Sequence, residues 1–301
     1  MSINQKAVVV LGFGLMAISV ASVLIKICAA PALVIAVYRL GFASIFYLTI
    51  NRISRKPLIR NLDSGQIKII LISAVFLTIH FATWITSLKF TSVASSVVLV
   101  QSSPIFVAIG SIIFLKEKPN GLMILGIVFA LVGSVIISVH DFSLDENSLT
   151  GNLLAIGGAI GAAGYLLSGR HLRKNLDTFQ YVAVLYSITT IFLLVLAFGN
   201  GADLIHYDWR IFALFAAIAF FPQVIGHTSF NWALAFFSAT AVSIVALGEP
   251  IGATILAYFF LGEKLTLVKM LGGIVILIGV TMAILSEGRA TSKLKIKNQA
   301  S

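Results

Sequence analysis

The chain has 301 residues, of which 59% are hydrophobic and only 11% are charged, and its mean hydropathy is +1.04. A water-soluble globule of this length cannot bury so much apolar surface, so the composition excludes a soluble domain and places the chain in a lipid bilayer. The net charge of +10 arises from Lys and Arg residues in short clusters between apolar runs. Such clusters indicate a cytoplasmic membrane face and argue against nucleic acid as a partner.

Cys28 is the single cysteine of the sequence. An intramolecular disulfide is therefore excluded, and a Cys-based metal site would lack ligands. We expect no cofactor and no bound metal. Because no small-residue processing site follows the first apolar run, that run is predicted to be the first membrane span.

Ten apolar runs are long enough to cross a bilayer, which takes roughly 20 residues. Only short linkers separate them, so no soluble domain is expected. In chain order the predicted spans are 7–29, 32–50, 67–88, 93–115, 121–140, 151–169, 179–199, 210–235, 239–262 and 267–286. The tail after Glu287, with Lys293, Lys295 and Lys297, is predicted to be a solvated basic end.

The basic residues predict the orientation of the chain. With the amino terminus in the cytoplasm, 15 of the 21 Lys and Arg residues fall inside, five fall outside, and Arg39 remains within a span. Cytoplasmic loops are the ones that collect positive charge, so both termini are predicted to be cytoplasmic. The basic residues predicted to lie outside are Lys26, Lys89, Arg210, Lys264 and Lys269. The acidic linker HDFSLDENSLT is predicted to lie on the same side.

The chain contains an internal duplication, because the run 246–284 repeats the run 100–138 without a gap. Eleven of the 39 paired positions are identical. They include Pro104 with Pro250, Glu117 and Lys118 with Glu263 and Lys264, and Gly126 and Gly133 with Gly272 and Gly279. Five spans carry the chain to the opposite face, so the second copy must be inserted upside down relative to the first. The predicted domains are 1–140, 141–286 and a tail, 287–301.

These motifs resemble the EamA repeat of the drug/metabolite transporter superfamily. The residues that carry the resemblance are SSPIFVAIGSIIFLKEK, GEPIGATILAYFFLGEKL and, with Arg39, PALVIAVYRLGFASIFYL. The resemblance implies an all-α membrane protein with ten transmembrane helices arranged as two inverted five-helix repeats (5+5). Similar proteins are mostly inner-membrane exporters of amino acids and other small metabolites. Relatives in organelles move nucleotide sugars or triose phosphates, so the resemblance does not fix the substrate.

The eighth predicted span carries Gln223, His227 and Asn231 at positions i, i+4 and i+8, which share one face of a regular helix, with Trp232 adjoining. Lipid offers no hydrogen-bond partner, so such a row must face protein or water. It is either a cavity wall or an interhelical hydrogen-bond seam. Pro222 is expected to kink this span.

The third predicted span shows a similar row, with His80, Thr83, Trp84 and Ser87. Because the third and eighth spans are repeat partners, the two rows predict the walls of one central cavity. For either His alone, a neutral imidazole paired with a neighbour is as good an explanation as proton handling. The remaining candidates for the cavity are Gln101, Ser102 and Tyr165, whose ring could stack on a flat or cationic substrate.

Two charges fall inside predicted spans. Glu249 precedes Pro250, and an ionised carboxylate in a span costs about 2.5–3.5 kcal/mol on insertion scales. It is either a proton or substrate-amine site, or a carboxylate satisfied by neighbouring helices. For Arg39 we favour a role in packing over attraction of an anion, and the two residues could also pair directly.

The leading hypothesis is a secondary or facilitative transporter that exports a small metabolite by alternating access. No G-x-x-x-x-G-K-[ST] loop occurs, so ATP is not the direct energy source. A proton is a candidate coupling ion, with uncoupled transport equally allowed, and ten spans favour a functional monomer. A lipid-carrier flippase is the main alternative. An integral-membrane enzyme is disfavoured by the lack of H-E-x-x-H, G-x-S-x-G or Cys-His motifs, and a sensor or scaffold by the lack of an output domain.

Overall fold

The computed structural model describes residues 3–55, 58, 62–91, 93–138, 148–261 and 265–299. Several predicted features lie outside these residues. They are the boundary between the two predicted repeats at 140/141, most of the acidic linker, and the second Glu-Lys pair, Glu263 and Lys264.

All ten predicted spans are helical, and they are labelled α1 to α10 in chain order. Six are continuous: α2 (Ala32–Ile53), α3 (Ser64–Ser87), α5 (Gly121–Ser138), α6 (Ser148–Arg173), α7 (Thr178–Gly199) and α10 (Leu267–Gln299). Four are divided into segments: α1 (Ile3–Ser19, Ala21–Ile27), α4 (Val93–Val100, Ser103–Gly110, Ser111–Leu115), α8 (Trp209–Ile218, Ala219–His227, Thr228–Ala233) and α9 (Ala239–Ala246, Glu249–Leu261).

The helices suit a bilayer in both length and composition. Among the described residues, nine are long and apolar enough to cross a membrane, and the tenth, in α5, is a shorter apolar stretch, Gly121–Ile137. The protein is therefore an all-α, multi-pass membrane protein. The helix α10 extends to Gln299, so the predicted tail continues the last helix along its backbone.

Short polar side chains begin several of the helices. Asp63 forms a capping box with Gln66 at the start of α3. Asp177 and Asp208 accept hydrogen bonds from backbone N–H groups in the first turns of α7 and α8. Ser238 does the same at α9. Each cap satisfies donors that the first turn leaves without a partner, which fixes where the span begins.

The helices α5 and α10 cross at four glycines. A Cβ atom on Gly126 would lie 2.9 Å from the Gly279 carbonyl oxygen, and one on Gly133 would lie 2.6 Å from that of Gly272. The pairing runs in opposite chain directions, so the two helices are antiparallel. Because Gly126 corresponds to Gly272 and Gly133 to Gly279 in the duplication, the crossing is related to itself by a twofold axis. The two repeats are inverted, as predicted.

The helix α6 lies very close to α3. A Cβ atom on Gly161 would lie 2.6 Å from the backbone nitrogen of His80, and Gly158 and Gly164 pack against Trp84 and Phe76. The repeat-related pair, α1 and α8, meets in the same manner at Gly14 and Gly226. Small residues allow membrane helices this approach. These four helices, with α2, α4 and α9, surround the centre of the molecule.

Candidate functional site

A cavity lies where the two repeats meet. The space open to the centres of water-sized molecules is about 90 Å³, which is room for several waters or one small solute. Much of the lining is apolar. Its polar members come from six helices: Arg39, His80, Trp84, Gln101, Ser103, Tyr165, His227, Ser243 and Glu249.

The breaks in α4 and α9 bring equivalent positions of both repeats to this cavity. The α4 helix is interrupted between Val100 and Ser103, and α9 between Ala246 and Glu249. Each break lies just before a proline, which has no N–H to continue the helical ladder. Both Ser103 and Glu249 line the cavity. The duplicated Pro motif therefore provides two helix starts at one site, with different side chains in the two halves.

Glu249 is the one carboxylate among the described residues lining the cavity. It begins the segment Glu249–Leu261, where the positive end of the helix dipole favours a negative charge. Within the described part of the chain its carboxylate makes no hydrogen bond or ion pair, although its backbone oxygen accepts a hydrogen bond from Ser19 Oγ at 3.3 Å. The carboxylate is thus turned to the cavity without a side-chain partner.

Arg39 links the two repeats. Its Nε donates to Gln223 Oε1 at 2.8 Å, and its guanidinium lies 4.4 Å from the centre of the Phe81 ring. The side chain is 1% exposed, and its Nη1 has no hydrogen-bond partner among the described residues. No ion pair joins Arg39 to Glu249 within those residues. One edge of the guanidinium therefore holds α2 to α8, while Nη1 is buried without a partner among the described residues.

The two histidines lie side by side across the repeat boundary. Their ring centres are 6.3 Å apart, and His227 also lies beside Phe81 and Tyr165. The Nδ1 of His80 is 2.9 Å from the Gly158 carbonyl oxygen. A carbonyl oxygen only accepts, so Nδ1 carries the proton and Nε2 of the neutral ring is an acceptor. The pairing of His80 with a neighbour, one of the two sequence alternatives, is present.

Three further cavity residues have buried polar atoms with no partner among the described residues: Trp84 Nε1, Gln101 Nε2 and Tyr165 OH. The other end of the Gln101 amide accepts from Ser134 Oγ at 3.1 Å, which fixes its orientation. Buried polar atoms are ordinarily hydrogen-bonded. Several donors and one carboxylate are therefore unpaired around the same space.

The residues of the predicted row on the eighth span differ in their contacts. Gln223 bonds to Arg39, while the Asn231 amide donates to the Tyr186 hydroxyl and to the His227 carbonyl oxygen. Of the row, only His227 lines the cavity, and Trp232 packs on Phe236. The segment Ala219–His227 is π-helical. Gln223 and Asn231 are buried and are held by these hydrogen bonds to neighbouring helices.

Two other candidates also lie away from the cavity. The Thr83 hydroxyl bonds to the Ile79 carbonyl oxygen, and its side chain faces Gly157 of α6. The Ser102 hydroxyl bonds to the Leu99 carbonyl oxygen within the α4 break. The cavity instead includes Ser103 and Ser243. The equivalence of Ser103 with Glu249 was the available signal for Ser103, whereas nothing in the pattern distinguished Ser243.

An ion-pair cluster closes the end of the bundle that the sequence assigns to the cytoplasm. Glu117, after α4, accepts from Arg170 Nε at 3.1 Å and lies 3.4 Å from Lys174 Nζ. Arg170 also donates to the Leu234 carbonyl oxygen at 2.8 Å, and Arg173 donates to that of Asn231 at 3.0 Å. The ends of α4, α6 and α8 are therefore held together on this side.

Comparison with known proteins decides the family. The sequence profile described as "EamA-like transporter family" matches residues 6–139 and 149–285. The chain belongs to this family. Its two matched regions correspond to the two inverted repeats, and the family is one of transporters.

Several family relatives are similar over most of their length. An uncharacterized transporter of Archaeoglobus fulgidus is 24% identical over 67% of this chain and 71% of its own. The uncharacterized transporter YyaM of Bacillus subtilis is 23% identical over 82% of this chain and 83% of its own. The uncharacterized inner membrane transporter YhbE of Escherichia coli is 27% identical over 66% of this chain and 65% of its own. A solved crystal structure superposes with a TM-score of 0.80 at 13% identity, over 95% of this chain and 99% of that one, which shows a shared fold.

Proposed function

We propose that this EamA-family transporter exports a small zwitterionic metabolite, an amino acid or a close analogue, across the cell membrane by alternating access. The family supplies the activity, and the inverted repeats supply the mechanism. A site on the twofold axis of two inverted repeats can open to either face by a small rearrangement of one repeat against the other. One chain encloses the whole cavity, which supports a functional monomer.

The observation that carries the substrate class is that Arg39 and Glu249 line one small cavity without pairing with each other. A zwitterion would satisfy both. Its ammonium group would bind the Glu249 carboxylate, and its carboxylate would accept hydrogen bonds from Arg39 Nη1, Gln101 Nε2 and the Tyr165 hydroxyl. Each of these three atoms lacks a hydrogen-bond partner among the described residues. The apolar part of the wall would take an uncharged side chain.

Glu249 is also the best candidate for coupling to protons. Protonation would remove the charge that holds an ammonium group, so substrate would be released when the carboxylate becomes neutral. Transport without a coupling ion would use the same substrate site, but Glu249 would not be protonated during the cycle. The dependence of flux on pH separates these two versions.

The test is counterflow of radiolabelled amino acids into proteoliposomes that contain the purified protein. We expect wild-type protein to exchange at least one neutral amino acid, and Glu249→Gln to lower the initial rate by about tenfold or more, because a charge-assisted hydrogen bond is lost. If Glu249 couples transport to protons, the remaining flux of Glu249→Gln becomes independent of pH. The initial rate is measured across the pH range for both proteins.

The matched control is Asp203→Asn, which neutralises an exposed carboxylate in the linker before α8. Asp203 accepts from the backbone N–H groups of Ile205 and His206 and lies far from the cavity lining. We expect its counterflow to equal that of the wild type. Absence of counterflow for every amino acid, or an unchanged rate in Glu249→Gln, would overturn the proposed substrate site.

A further inference from the structure

A second cavity lies against the first, toward the face that carries Lys26 and Lys89. The volume open to the centres of water-sized molecules is about 180 Å³. Four helices that line the central cavity, α1, α2, α3 and α4, also line this one. On α1 the lining passes from Ala21 to Ser22 and Ile25, and on α4 it passes from Val100 to Val97. The two cavities are therefore stacked along the same helices, one turn apart.

Trp84 is the one described residue that lines both cavities. It is 5% exposed and therefore buried between them. One face of the indole is stacked on His80, with ring centres 5.7 Å apart and planes 11° from parallel. Its Nε1 has no hydrogen-bond partner among the described residues. The ring is thus held by stacking and packing alone, and no hydrogen bond has to break when it moves.

The opposite end of the central cavity is closed differently. The residue equivalent to Trp84 in the second repeat is Phe230, which lines the central cavity. Beyond it, Arg170 and Arg173 hold α6 to the carbonyl oxygens at the end of α8, and Glu117 adds α4. Closure at that end depends on several charged contacts between helices. At the end with Lys26 and Lys89, one aromatic side chain separates the central cavity from a second, wider space.

We propose that Trp84 is the outer gate of the substrate path and that the second cavity is the vestibule between this gate and the outer face. The proposal rests on the proposed transport function. In it, rotation of the indole away from His80 joins the two cavities, and substrate in the central cavity passes beneath Lys26 and Lys89 while the contacts of Glu117 close the other end. Trp84 then acts as a gating residue that also limits the size of the substrate.

The native cysteine makes the proposal testable without measuring flux. Cys28 lines the vestibule, and the thiolate is the reactive form of a thiol, so the labelling reactions are run at alkaline pH. The probe is a small, membrane-impermeant methanethiosulfonate added to right-side-out or to inside-out vesicles. A second reporter, Ser103→Cys in a Cys28→Ser background, places the thiol in the central cavity. Labelling rates are compared in the presence of Trp84 and of Trp84→Ala.

We expect Cys28 to be labelled from the outer face at the same rate with either residue at position 84. The reporter at position 103 should be labelled slowly from the outer face with Trp84. With Trp84→Ala its rate should rise at least about fivefold, because the stacked ring that separates the cavities is gone. Labelling at position 103 that does not depend on residue 84, or a Cys28 that is reached only from the inner face, would overturn the proposal.

Two further variants guard against loss of structure. Trp84→Phe keeps a smaller ring, and we expect an intermediate labelling rate at position 103. Trp209→Ala removes a tryptophan that is 72% exposed, and it should leave both rates unchanged. All variants are compared only as monodisperse protein in gel filtration. Because labelling needs no substrate, a failed gate and a failed transport assignment give different results: the labelling pattern fails in the first case and counterflow fails in the second.

Discussion

Arg39 shows how one buried side chain can serve both packing and a ligand site. The sequence left these two roles as alternatives, with packing favoured. In the structure, Nε donates a hydrogen bond to Gln223 and the guanidinium lies over the Phe81 ring, whereas Nη1 has no partner among the described residues. The structural role is therefore visible, and the unpaired Nη1 supports the proposed role in holding a carboxylate.

The Gln223 contact leads to a prediction about Arg39→Lys. Lysine keeps the positive charge but lacks the planar donor edge that reaches Gln223 and stacks on Phe81. A buried hydrogen bond from a charged donor is lost, so we expect the free energy of unfolding to fall by roughly 2 kcal/mol. Thermal unfolding of the detergent-solubilised protein measures the change.

The control for this substitution is Arg210→Lys. Arg210 also lies over an aromatic ring, that of Trp209, at 5.8 Å, but it is exposed at the start of α8. Exposed contacts of this kind stabilise little, so the unfolding temperature should hardly change. Equal unfolding temperatures for the two lysine variants would show that the buried contact does not hold the repeats together.

Contacts between helices limited how far the site could be predicted residue by residue. Seven of the predicted residues lie around one cavity: Arg39, His80, Trp84, Gln101, Tyr165, His227 and Glu249. Gln223 and Asn231 do not line it, and they are bonded to Arg39 and Tyr186. Ser103 lines the cavity in place of Ser102, whose hydroxyl is bonded to the Leu99 carbonyl oxygen within the α4 break. Arg39 and Tyr186 belong to other helices, so the spacing within one span could not display these contacts.

At the scale of the helices, the spans were predictable because lipid imposes length and polarity on them. The apolar runs located all ten helices, and Pro222 marked the irregular helix α8. The interruptions in α4 and α9 were not predicted, since a proline is also tolerated at the first turn of a helix. Each interruption divides one span into shorter helices, and the second of these begins at the cavity, with Ser103 in α4 and Glu249 in α9.

The glycine crossing of α5 and α10 gives a prediction at this scale. A Cβ atom on Gly133 would lie within 2.7 Å of three atoms of α10, two of them backbone. The helices must separate to accept it, so Gly133→Ala should lower the free energy of unfolding by about 1–3 kcal/mol, which is typical of overpacking. Thermal unfolding of the detergent-solubilised protein, followed by the loss of helical circular dichroism, measures this decrease.

Gly12→Ala is the matched control, because a Cβ atom there would meet nothing within 4 Å. Alanine favours helix over glycine by up to about 1 kcal/mol, so this variant should be unchanged or slightly more stable. A Gly133→Ala protein as stable as Gly12→Ala would mean that the close approach of α5 and α10 does not set the packing of the two repeats.

At the scale of the whole molecule, the duplication determines where the site lies. Equivalent breaks in α4 and α9 and the neighbouring histidines of α3 and α8 all meet at the cavity between the repeats. Sequence symmetry predicted this meeting point, because inverted copies share their axis. It could not predict which face is closed, since the Glu117 cluster and the Trp84 partition depend on contacts between distant helices. The cytoplasmic placement of both termini stays a prediction.

The central claim is that one cavity between the repeats is reached from both faces of the membrane in turn. The most direct test is side-specific labelling of Ser243→Cys, which lines this cavity from the second repeat, in a Cys28→Ser background. An impermeant methanethiosulfonate is added separately to right-side-out and to inside-out vesicles. Alternating access predicts that the thiol is modified in vesicles of both orientations, whereas modification in only one orientation would contradict it.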